Sequence, residues 1–255
     1  MKKFLLILPF VLLLPQAASA TTIYLTSGTS WTVPADWNSS NNTIEVIGGG
    51  GGGENGTGTF CGRAGGGGAY TRSINLALTS GSTATYRVGA GGIAGTKDLL
   101  GGYPGGDTYF NATSLTNAVA KGPSVAVAAE HGSSGLQPTG GSAANSVGLI
   151  KHNGGNGGNS GGIPSLSGGA GGGGAAGPNG NGNAGSNCPD VFLSPPPDGI
   201  GGSGDAGFGG AAGANGTEWN STHGSGGVGI GTKDTPGLEG KYVACGAIGG
   251  YKGGL

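Results

Sequence analysis

Ser160 is the first residue to test for chemistry, because it lies in the pattern Gly-x-Ser-x-Gly at residues 158–162. That pattern serves a nucleophile when the serine occupies a sharp turn between a strand and a helix, within reach of a histidine and a carboxylate. His131 and His152 are the nearby histidines, but the residues around Ser160 carry no strand or helix signal. We therefore interpret residues 158–162 as a polar loop and predict that the protein is not an enzyme.

Two further glycine motifs could in principle hold a cofactor or a metal ion. Residues 89–94 match the dinucleotide pattern Gly-x-Gly-x-x-Ala after a predicted strand. The glycines that follow, with Pro104, argue against the helix whose N-terminus would bind the pyrophosphate. Residues 201–205 resemble a single calcium-binding repeat, which needs stacked copies to complete a site. The cysteines and histidines lack the spacing of a zinc site. We expect no cofactor and no metal.

Aromatic side chains within glycine-rich loops are better candidates for binding. Trp219 offers a stacking face between the hydrogen-bonding residues Glu218 and Asn220, with His223 close in sequence, a combination suited to sugars. Phe192 lies in a second loop that its prolines stiffen, which lowers the entropy lost on binding. We predict that these five residues bind a ligand. The alternative is that Trp219 fills a gap between glycine helices and belongs to the scaffold.

The chain begins with the features of an export signal. Lys2 and Lys3 precede the apolar run 4–14, and small residues at 18–20 form a cleavage site. The apolar run is shorter than the roughly 20 residues that cross a bilayer, and no later run is longer. We predict that residues 1–20 are a cleaved signal peptide. The mature chain is then secreted or extracellular, without a transmembrane segment.

Charge argues against a nucleic-acid partner. Loss of Lys2 and Lys3 with the signal lowers the formal net charge from −1 to −3. Nucleic-acid binding needs a clustered basic face, and the sequence contains no run of five or more charged residues.

Three cysteines remain after export, which favours their oxidation. Cys61 and Cys188 both lie in insertions that interrupt glycine tracts, at residues 57–63 and 187–198. Cys245 lies in a strand-like run and would be a small buried apolar residue. We predict at most one disulfide, Cys61–Cys188.

Glycine accounts for 66 of the 255 residues, which limits the class of structure. Collagen would need glycine at every third position with abundant proline, whereas here the glycine spacing is irregular. Disorder is favoured by high charge and few aromatics, whereas charged residues make up 9% of this chain and aromatics occur throughout. Ordered packing that requires glycine is the remaining explanation.

Short β-prone runs with turn residues between them fill the first part of the chain, and helical periodicity is almost absent. Leu115–Lys121 is the one ambiguous stretch. Short strands at this spacing predict an all-β fold, a jelly-roll-like antiparallel sandwich with almost no α-helix in the mature chain. The predicted strands are 23–26, 30–33, Thr43–Ile47, 69–78, 84–88, 107–110 and 124–128.

From about residue 131 the chain is mostly Gly, Ala, Ser and Asn. A left-handed helix with three residues per turn has no internal hydrogen bonds. When it is made of glycine, neighbouring helices approach until N–H meets C=O, which satisfies the buried backbone. We predict long polyglycine II helix bundles with Asn and Ser facing outward; a flexible linker is the alternative. The predicted domains are a β-rich core, 21–130, and a polyglycine region, 131–255, packed on or continuous with it.

The order of motifs resembles a known family. Trp31 to Pro34 is followed by Thr43–Ile47 running into glycines 48–53, then by 65–70, and then by 86–92 and 105–110. This order resembles the glycine-rich domain of bacteriophage tail-fibre and tail-tip proteins and of bacterial surface proteins. More loosely, it is similar to the extracellular glycine-rich domain of anaplastic lymphoma kinase. The resemblance implies a β-sandwich connected by polyglycine helices, with a binding or structural role and no catalysis.

These observations lead to one functional prediction with two alternatives. We expect a secreted, non-enzymatic surface or adhesive protein that recognises glycans or other cell-surface polymers. The export signal favours this over a phage tail fibre, which assembles in the cytoplasm. A purely structural matrix, coat or phage-tail-like component that self-associates is the second class. Ice binding is the third. It would require a regular Gly-x-x array with one face of Thr and Ala, whereas the phase of the glycine repeat breaks repeatedly in this chain.

Overall fold

A computed structural model gives the architecture of the protein. The residues that it describes are 22–54, 62–95, 102–134, 138–160, 169–188, 199–208, 216–219 and 223–226. The predicted signal peptide, residues 1–20, lies outside them. Within these ranges the fold is mostly antiparallel β-sheet with little helix, as predicted. None of the helices in the described part of the chain has the length and apolarity needed to cross a membrane.

Seven strands, one α-helix and one short 3₁₀ turn make up the regular structure of the described ranges. The helix forms at the ambiguous stretch, where the Ser114 side chain accepts a hydrogen bond from the N–H of Asn117 and so caps the first turn. In chain order the elements are β1 Ser30–Thr32, β2 Thr43–Ile47, β3 Tyr70–Ile74, β4 Thr83–Arg87, β5 Thr108–Phe110, α1 Leu115–Lys121, β6 Val127–Ala129, β7 Ile150–His152 and the 3₁₀ turn Asp205–Gly207.

Three strand predictions need correction, and one observed strand was not predicted. The strand predicted at 124–128 is observed at Val127–Ala129, because the N–H groups of Val125 and Ala126 both turn back to the carbonyl of Gly122. Residues 23–26 form no strand; Tyr24 instead uses its side chain to hold a distant loop. The run predicted as 69–78 ends at Ile74, because Asn75 adopts a left-handed backbone conformation, with φ of 58°. Strand β7 was not predicted, since three residues are too few to show a periodic pattern.

The strands form two sheets, with orders β1-β4-β5-β6 and β2-β3-β7. One apolar core takes side chains from both sheets, including Val46 from β2, Tyr86 from β4, Phe110 from β5 and Val127 from β6. The Thr71 hydroxyl on β3 donates to the carbonyl of Ala128 on β6 at 3.2 Å and links the two sheets. Two sheets that share a core are what a sandwich requires; the finer jelly-roll order stays a prediction.

Extended glycine-rich segments continue from the strands and pack side by side. Each segment bonds one neighbour through every third residue, which is the repeat of a helix with three residues per turn. Segment 62–69 has three such neighbours. The N–H groups of residues 64 and 67 donate to the carbonyls of residues 158 and 155 in the first neighbour, and those of residues 66 and 69 donate to the carbonyls of residues 133 and 130 in the second. The carbonyls of residues 62, 65 and 68 accept from the N–H groups of residues 170, 173 and 176 in the third. All of these bonds are 2.9–3.1 Å long. This is the hydrogen bonding predicted for a polyglycine II bundle.

Close approach explains why the bundle needs glycine. A Cβ added to Gly67 would lie closer than 3.0 Å to the backbone of Gly174 and Ala175, and one added to Gly155 would meet Asn183 equally closely. Real Cβ atoms do not occur at such distances, so only hydrogen fits between the helices. The bundle therefore buries its backbone without large side chains.

The bundle joins residues from both sides of position 130. Segment 62–69 lies between segments 130–133 and 153–158, and β7 pairs with β3. The division at residue 130 stays a prediction about domains, but the hydrogen bonds cross it repeatedly. Asn153, Asn156 and Asn159 are exposed, as expected for outward positions of a three-residue repeat.

Candidate functional site

The outer face of the three-stranded sheet gathers polar and aromatic side chains. Strand alternation puts Glu45 and Ile47 of β2 on the same face as Tyr70 and Arg72 of β3 and His152 of β7. The register pairs Glu45 with Arg72, and it places Tyr70 between Ile47 and His152. The rings of Tyr70 and His152 stack with centroids 5.9 Å apart. This face therefore combines ionisable groups with flat rings.

Trp219 covers the Tyr70 end of this face. Its ring stacks on Tyr70 with centroids 6.3 Å apart and an interplanar angle of 25°. It packs on a small cluster that also contains Ile47 and two alanines at 175 and 176. Its indole Nε1–H donates to the Glu45 carboxylate. The inner side of the half-buried Trp219 therefore packs on the fold, as expected for a residue that contributes to stability.

Two further rings extend this arrangement to the surface. Tyr24 and His223 stack at 3.9 Å between centroids, with planes 27° apart, and both are half-buried. The Tyr24 hydroxyl donates to the carbonyl of Trp219 at 3.3 Å, and the Trp219 N–H donates to the carbonyl of His223 at 3.2 Å. Tyr24, Trp219 and His223 therefore hold one another. We call Tyr24, Tyr70, His152, Trp219 and His223 the aromatic cluster.

Glu218 is fixed beside Trp219 by the buried Ser225. Its carboxylate accepts from the Ser225 N–H at 3.1 Å and from the Ser225 hydroxyl. Burial raises the pKa of Glu218 above its ordinary value, and the bonds from Ser225 offset part of that rise. Glu218 thus tightens the loop as well as bordering the cluster.

Burial dominates the electrostatics beneath Trp219. It raises the pKa of Glu45, while the Trp219 hydrogen bond and Arg72, at 4.0 Å from the carboxylate, act in the opposite direction. Burial, together with the Glu45 charge, also raises the pKa of Tyr70. Tyr70 and Glu45 therefore lie together in a weakly hydrated place, where burial disfavours the charged form of each.

The structure brings together three of the five predicted ligand-binding residues, namely Glu218, Trp219 and His223. Phe192 and Asn220 lie outside the described residues. Sequence reasoning missed Tyr24, Glu45 and His152, which reach the cluster from distant parts of the chain. The period-two alternation of Thr43–Ile47 was the one available signal, since it put Glu45 on the face opposite Val46.

The two glycine motifs considered for a cofactor or a metal ion contribute hydrogen bonds to the fold. In residues 89–94, the Gly89 N–H donates to the Thr108 hydroxyl at 2.9 Å and the Gly92 N–H to the carbonyl of Gly50 at 2.8 Å. Asp205 is buried and accepts from the N–H groups of Asn179 and Gly180, both at 2.7 Å, so it shapes a turn. Within the described ranges, no group of His, Cys, Asp and Glu could hold a metal ion.

Cys188 is buried and disulfide-bonded. Cys61 and Cys245 both lie outside the described residues, so the pairing with Cys61 stays a prediction. The N–H of Cys188 donates to the carbonyl of Asn159 at 3.0 Å, which places it in the bundle.

Comparison with known proteins agrees with this architecture. A family model described as a glycine-rich domain matches residues 25–254, nearly the whole chain. No curated protein matches the sequence.

Proposed function

The chain belongs to the glycine-rich domain family, and we propose that it is a secreted, non-enzymatic protein that recognises cell-surface glycans. The proposed binding surface is the outer part of the aromatic cluster. The finer likeness, to bacteriophage tail-fibre and bacterial surface proteins, belongs to the same proposal, and the predicted export signal favours a bacterial surface role over a tail fibre.

One observation carries this proposal: three half-buried rings, Tyr24, Trp219 and His223, are joined by stacking and by hydrogen bonds, and Glu218 directly precedes Trp219 in the same loop. Flat rings stack on the apolar faces of sugars, and a neighbouring carboxylate accepts hydrogen bonds from their hydroxyls. The rings are fixed to each other and to the sheet through Tyr70 and Glu45. A surface fixed in this way loses little entropy on binding.

The scaffold supports recognition more than catalysis. The bundle is held by backbone hydrogen bonds and presents few side chains, so chemistry is concentrated where the glycine pattern is interrupted. Next to the aromatic cluster, the carboxylate of Glu45 accepts a hydrogen bond from Trp219 and that of Glu218 accepts one from Ser225. Side chains engaged in this way position rings rather than transfer protons.

A glycan array tests the proposal directly. Wild-type protein should bind a subset of surface polysaccharides. Tyr24→Ala and His223→Ala should each weaken binding of the best glycan by about tenfold or more, with only a small effect on the melting temperature. Tyr103→Ala is the matched control, because this tyrosine is 49% exposed on another part of the bundle. Equal losses in all three variants, or no binding by wild type, would contradict the proposal.

Trp219→Ala separates the binding role from the scaffold role. Lost binding with an unchanged melting temperature assigns Trp219 to recognition, whereas lost stability alone assigns it to the scaffold. Its contacts with Ile47 and Tyr70 lead us to expect both losses, with destabilisation of about 2–3 kcal/mol for this partly buried ring.

Secretion is tested separately at the N-terminus. Cleavage after Ala20 gives a mature protein that begins at Thr21. N-terminal sequencing of protein recovered from outside the cytoplasm should read Thr-Thr-Ile-Tyr. A sequence that begins at Met1 would contradict the predicted signal peptide.

A self-associating structural component is the second candidate. The side chain of Ile93 is 69% exposed, and its carbonyl accepts a hydrogen bond from the N–H of Tyr103 at 2.8 Å. Ile200 and Phe208 are also exposed, at 68% and 75%. Concentration-dependent assembly that Ile93→Ser abolishes would favour this function. Ice binding has less support, because the outward row of segment 153–159 is asparagine and not Thr or Ala.

A further inference from the structure

The outward rows of the bundle follow the three-residue repeat. In segment 153–159 the row is Asn153, Asn156 and Asn159, all exposed. In the adjacent segment 181–187 the corresponding exposed row is Asn181, Ala184 and Asn187. The two segments run side by side in the same direction, since the N–H groups at 182, 185 and 188 donate to carbonyls 153, 156 and 159. The rows therefore face each other in register.

The asparagine carboxamides accept backbone hydrogen bonds that a further neighbouring helix would otherwise accept. Asn181 Oδ1 accepts from the N–H of Asn153 at 2.8 Å, and Asn187 Oδ1 accepts from the N–H of Asn159 at 2.9 Å. Each bond satisfies a backbone donor on the outer side of segment 153–159. The intermediate position is Ala184, which has no acceptor to offer. The N–H of Asn156, between the two bonded ones, has no hydrogen-bond partner among the described residues.

These side-chain bonds to the backbone of segment 153–159 form a ladder that is interrupted at Ala184. A groove of about 360 Å³ opens at this interruption. Its floor is glycine backbone and its polar wall is asparagine and serine. Its lining includes Gly140, Ser142, Asn153, Asn156, Asn181 and Ala184.

The chemistry of the groove is that of fixed, uncharged donors. Asn153 Oδ1 accepts from the N–H of Ala143 at 2.7 Å, and Asn156 Oδ1 accepts from the N–H of Gly140 at 2.9 Å. With Asn181 bonded in the same way, all three carboxamides have their oxygens engaged, and none of their Nδ2 groups donates to a described residue. No ionisable side chain lines the groove. A neutral ligand rich in hydrogen-bond acceptors fits this arrangement.

A saccharide matches these donors better than a peptide does. Hydroxyl, ring and glycosidic oxygens all accept hydrogen bonds, and sugar hydroxyls can turn their own hydrogens to water. A peptide strand would bring N–H donors of its own to a wall whose side-chain oxygens are already used. The groove and the aromatic cluster are also neighbours along the chain, because Asn153 of the groove directly follows His152, which stacks on Tyr70.

We propose that this groove is a saccharide subsite that extends the glycan-binding surface of the aromatic cluster along the bundle. The inference rests on the proposed function. The backbone N–H of Asn156 and the Nδ2 groups of Asn153, Asn156 and Asn181 bind sugar oxygens, and Ala184 is the residue that leaves room for the sugar.

Ala184→Asn gives the sharpest test, because completing the ladder should close the groove. The new Oδ1 would accept from the N–H of Asn156, as Asn181 and Asn187 do at the neighbouring positions. We expect a melting temperature equal to or above that of wild type. We also expect affinity for neutral hexasaccharides, taken from a panel of cello-, malto- and chito-hexaose, to fall by about tenfold or more. Asn187→Ala is the control, because it removes a ladder bond outside the groove and should keep the affinity.

Nuclear magnetic resonance titration with the same panel reads the site directly. The bound hexasaccharide should shift the backbone amide of Asn156 and the side-chain amides of Asn153 and Asn181. The subsite would be overturned, with the proposed function left intact, if Ala184→Asn kept the affinity of wild type while Tyr24→Ala lost it. Absence of binding to any glycan by wild type would instead remove the proposed function. Shifts at Asn156 from a glycine-rich peptide, and from no saccharide, would also overturn the inference.

Discussion

His131 Nδ1 lies 2.6 Å from Oδ1 of Asp107, and the backbone N–H of His131 donates to the same oxygen at 3.1 Å. Asp107 immediately precedes β5, and His131 is the second residue after β6, so the antiparallel pairing of the two strands brings them together. The pair lies where the sheet passes into the bundle. It fastens the glycine segments that leave these two strands.

This pair should make stability depend on pH. The bond to Asp107 raises the pKa of His131 above 6.5, against the effect of burial, with Glu130 assisting and Arg87 opposing. Burial alone would raise the pKa of Asp107, but the bonds from His131 hold it below 3.8. The contribution of His131 is full below its ordinary pKa and is lost as pH rises through the raised one. The contribution of Asp107 is present above 3.8 and is lost as pH falls through its lowered pKa.

His131→Gln is the variant that checks this dependence. Glutamine keeps a hydrogen-bonding group but cannot carry the charge. The loss of stability, about 1 kcal/mol for this partly exposed pair, should be largest near pH 5–6 and should shrink above the raised pKa of His131. Thermal unfolding across that range measures it. A loss that stays constant up to pH 9 would show that the charge contributes nothing.

Local patterns account for the parts of the fold that sequence could predict. The alternation in Thr43–Ile47 predicted β2 with its observed bounds, and glycine frequency predicted lateral packing of extended helices. What failed depends on contacts between distant residues. Strand β7 exists because Tyr70 and Arg72 of β3 pair with it. Trp219 reaches Glu45 across 174 positions in sequence, and no local pattern carries that information.

The indole of Trp219 should control the ionisation of Glu45. Trp219→Phe keeps a ring over Tyr70 but removes the N–H that lowers the pKa of Glu45, so that pKa should rise further. A raised folded pKa means that ionising Glu45 destabilises the protein as pH rises above its ordinary value of 4.5. The cost of Trp219→Phe should therefore be larger at pH 7, at about 1.5–3 kcal/mol, than at pH 4.

A double-mutant cycle with Glu45→Gln provides the control for this prediction. Glutamine is neutral, so Trp219→Phe in that background should cost less and should lose its pH dependence. A carbon-detected titration of the Glu45 carboxyl measures the pKa directly. An unchanged Glu45 pKa in Trp219→Phe would contradict the role given to the indole.

The disulfide of Cys188 should join it to Cys61. Gly62 directly follows Cys61, and its carbonyl accepts from the N–H of Ala170 at 3.0 Å. Gly171, which follows Ala170, donates its N–H to the carbonyl of Ser186 at 2.9 Å, two residues before Cys188. Gly62 and Cys188 therefore lie at the same end of the bundle. Peptide mapping of non-reduced protein should find this link. Cys61→Ser should destabilise by about 2–4 kcal/mol, whereas Cys245→Ser should keep the bond; a Cys188–Cys245 peptide would refute the pairing.

Substitution of Gly67 by alanine should disrupt the bundle far more than its single methyl group suggests. In an ordinary core an extra methyl costs about 1–3 kcal/mol, because side chains shift to admit it. At Gly67 the obstacle is the backbone of Gly174 and Ala175, which the hydrogen bonds of three segments hold in place. We expect a loss above about 3 kcal/mol, measured by chemical unfolding.

Gly81→Ala is the comparison, because Gly81 has open space around it but a φ of +75°. There only backbone strain acts, at about 1–2 kcal/mol. Equal losses at the two positions would mean that close packing of helices is not what requires glycine in this protein.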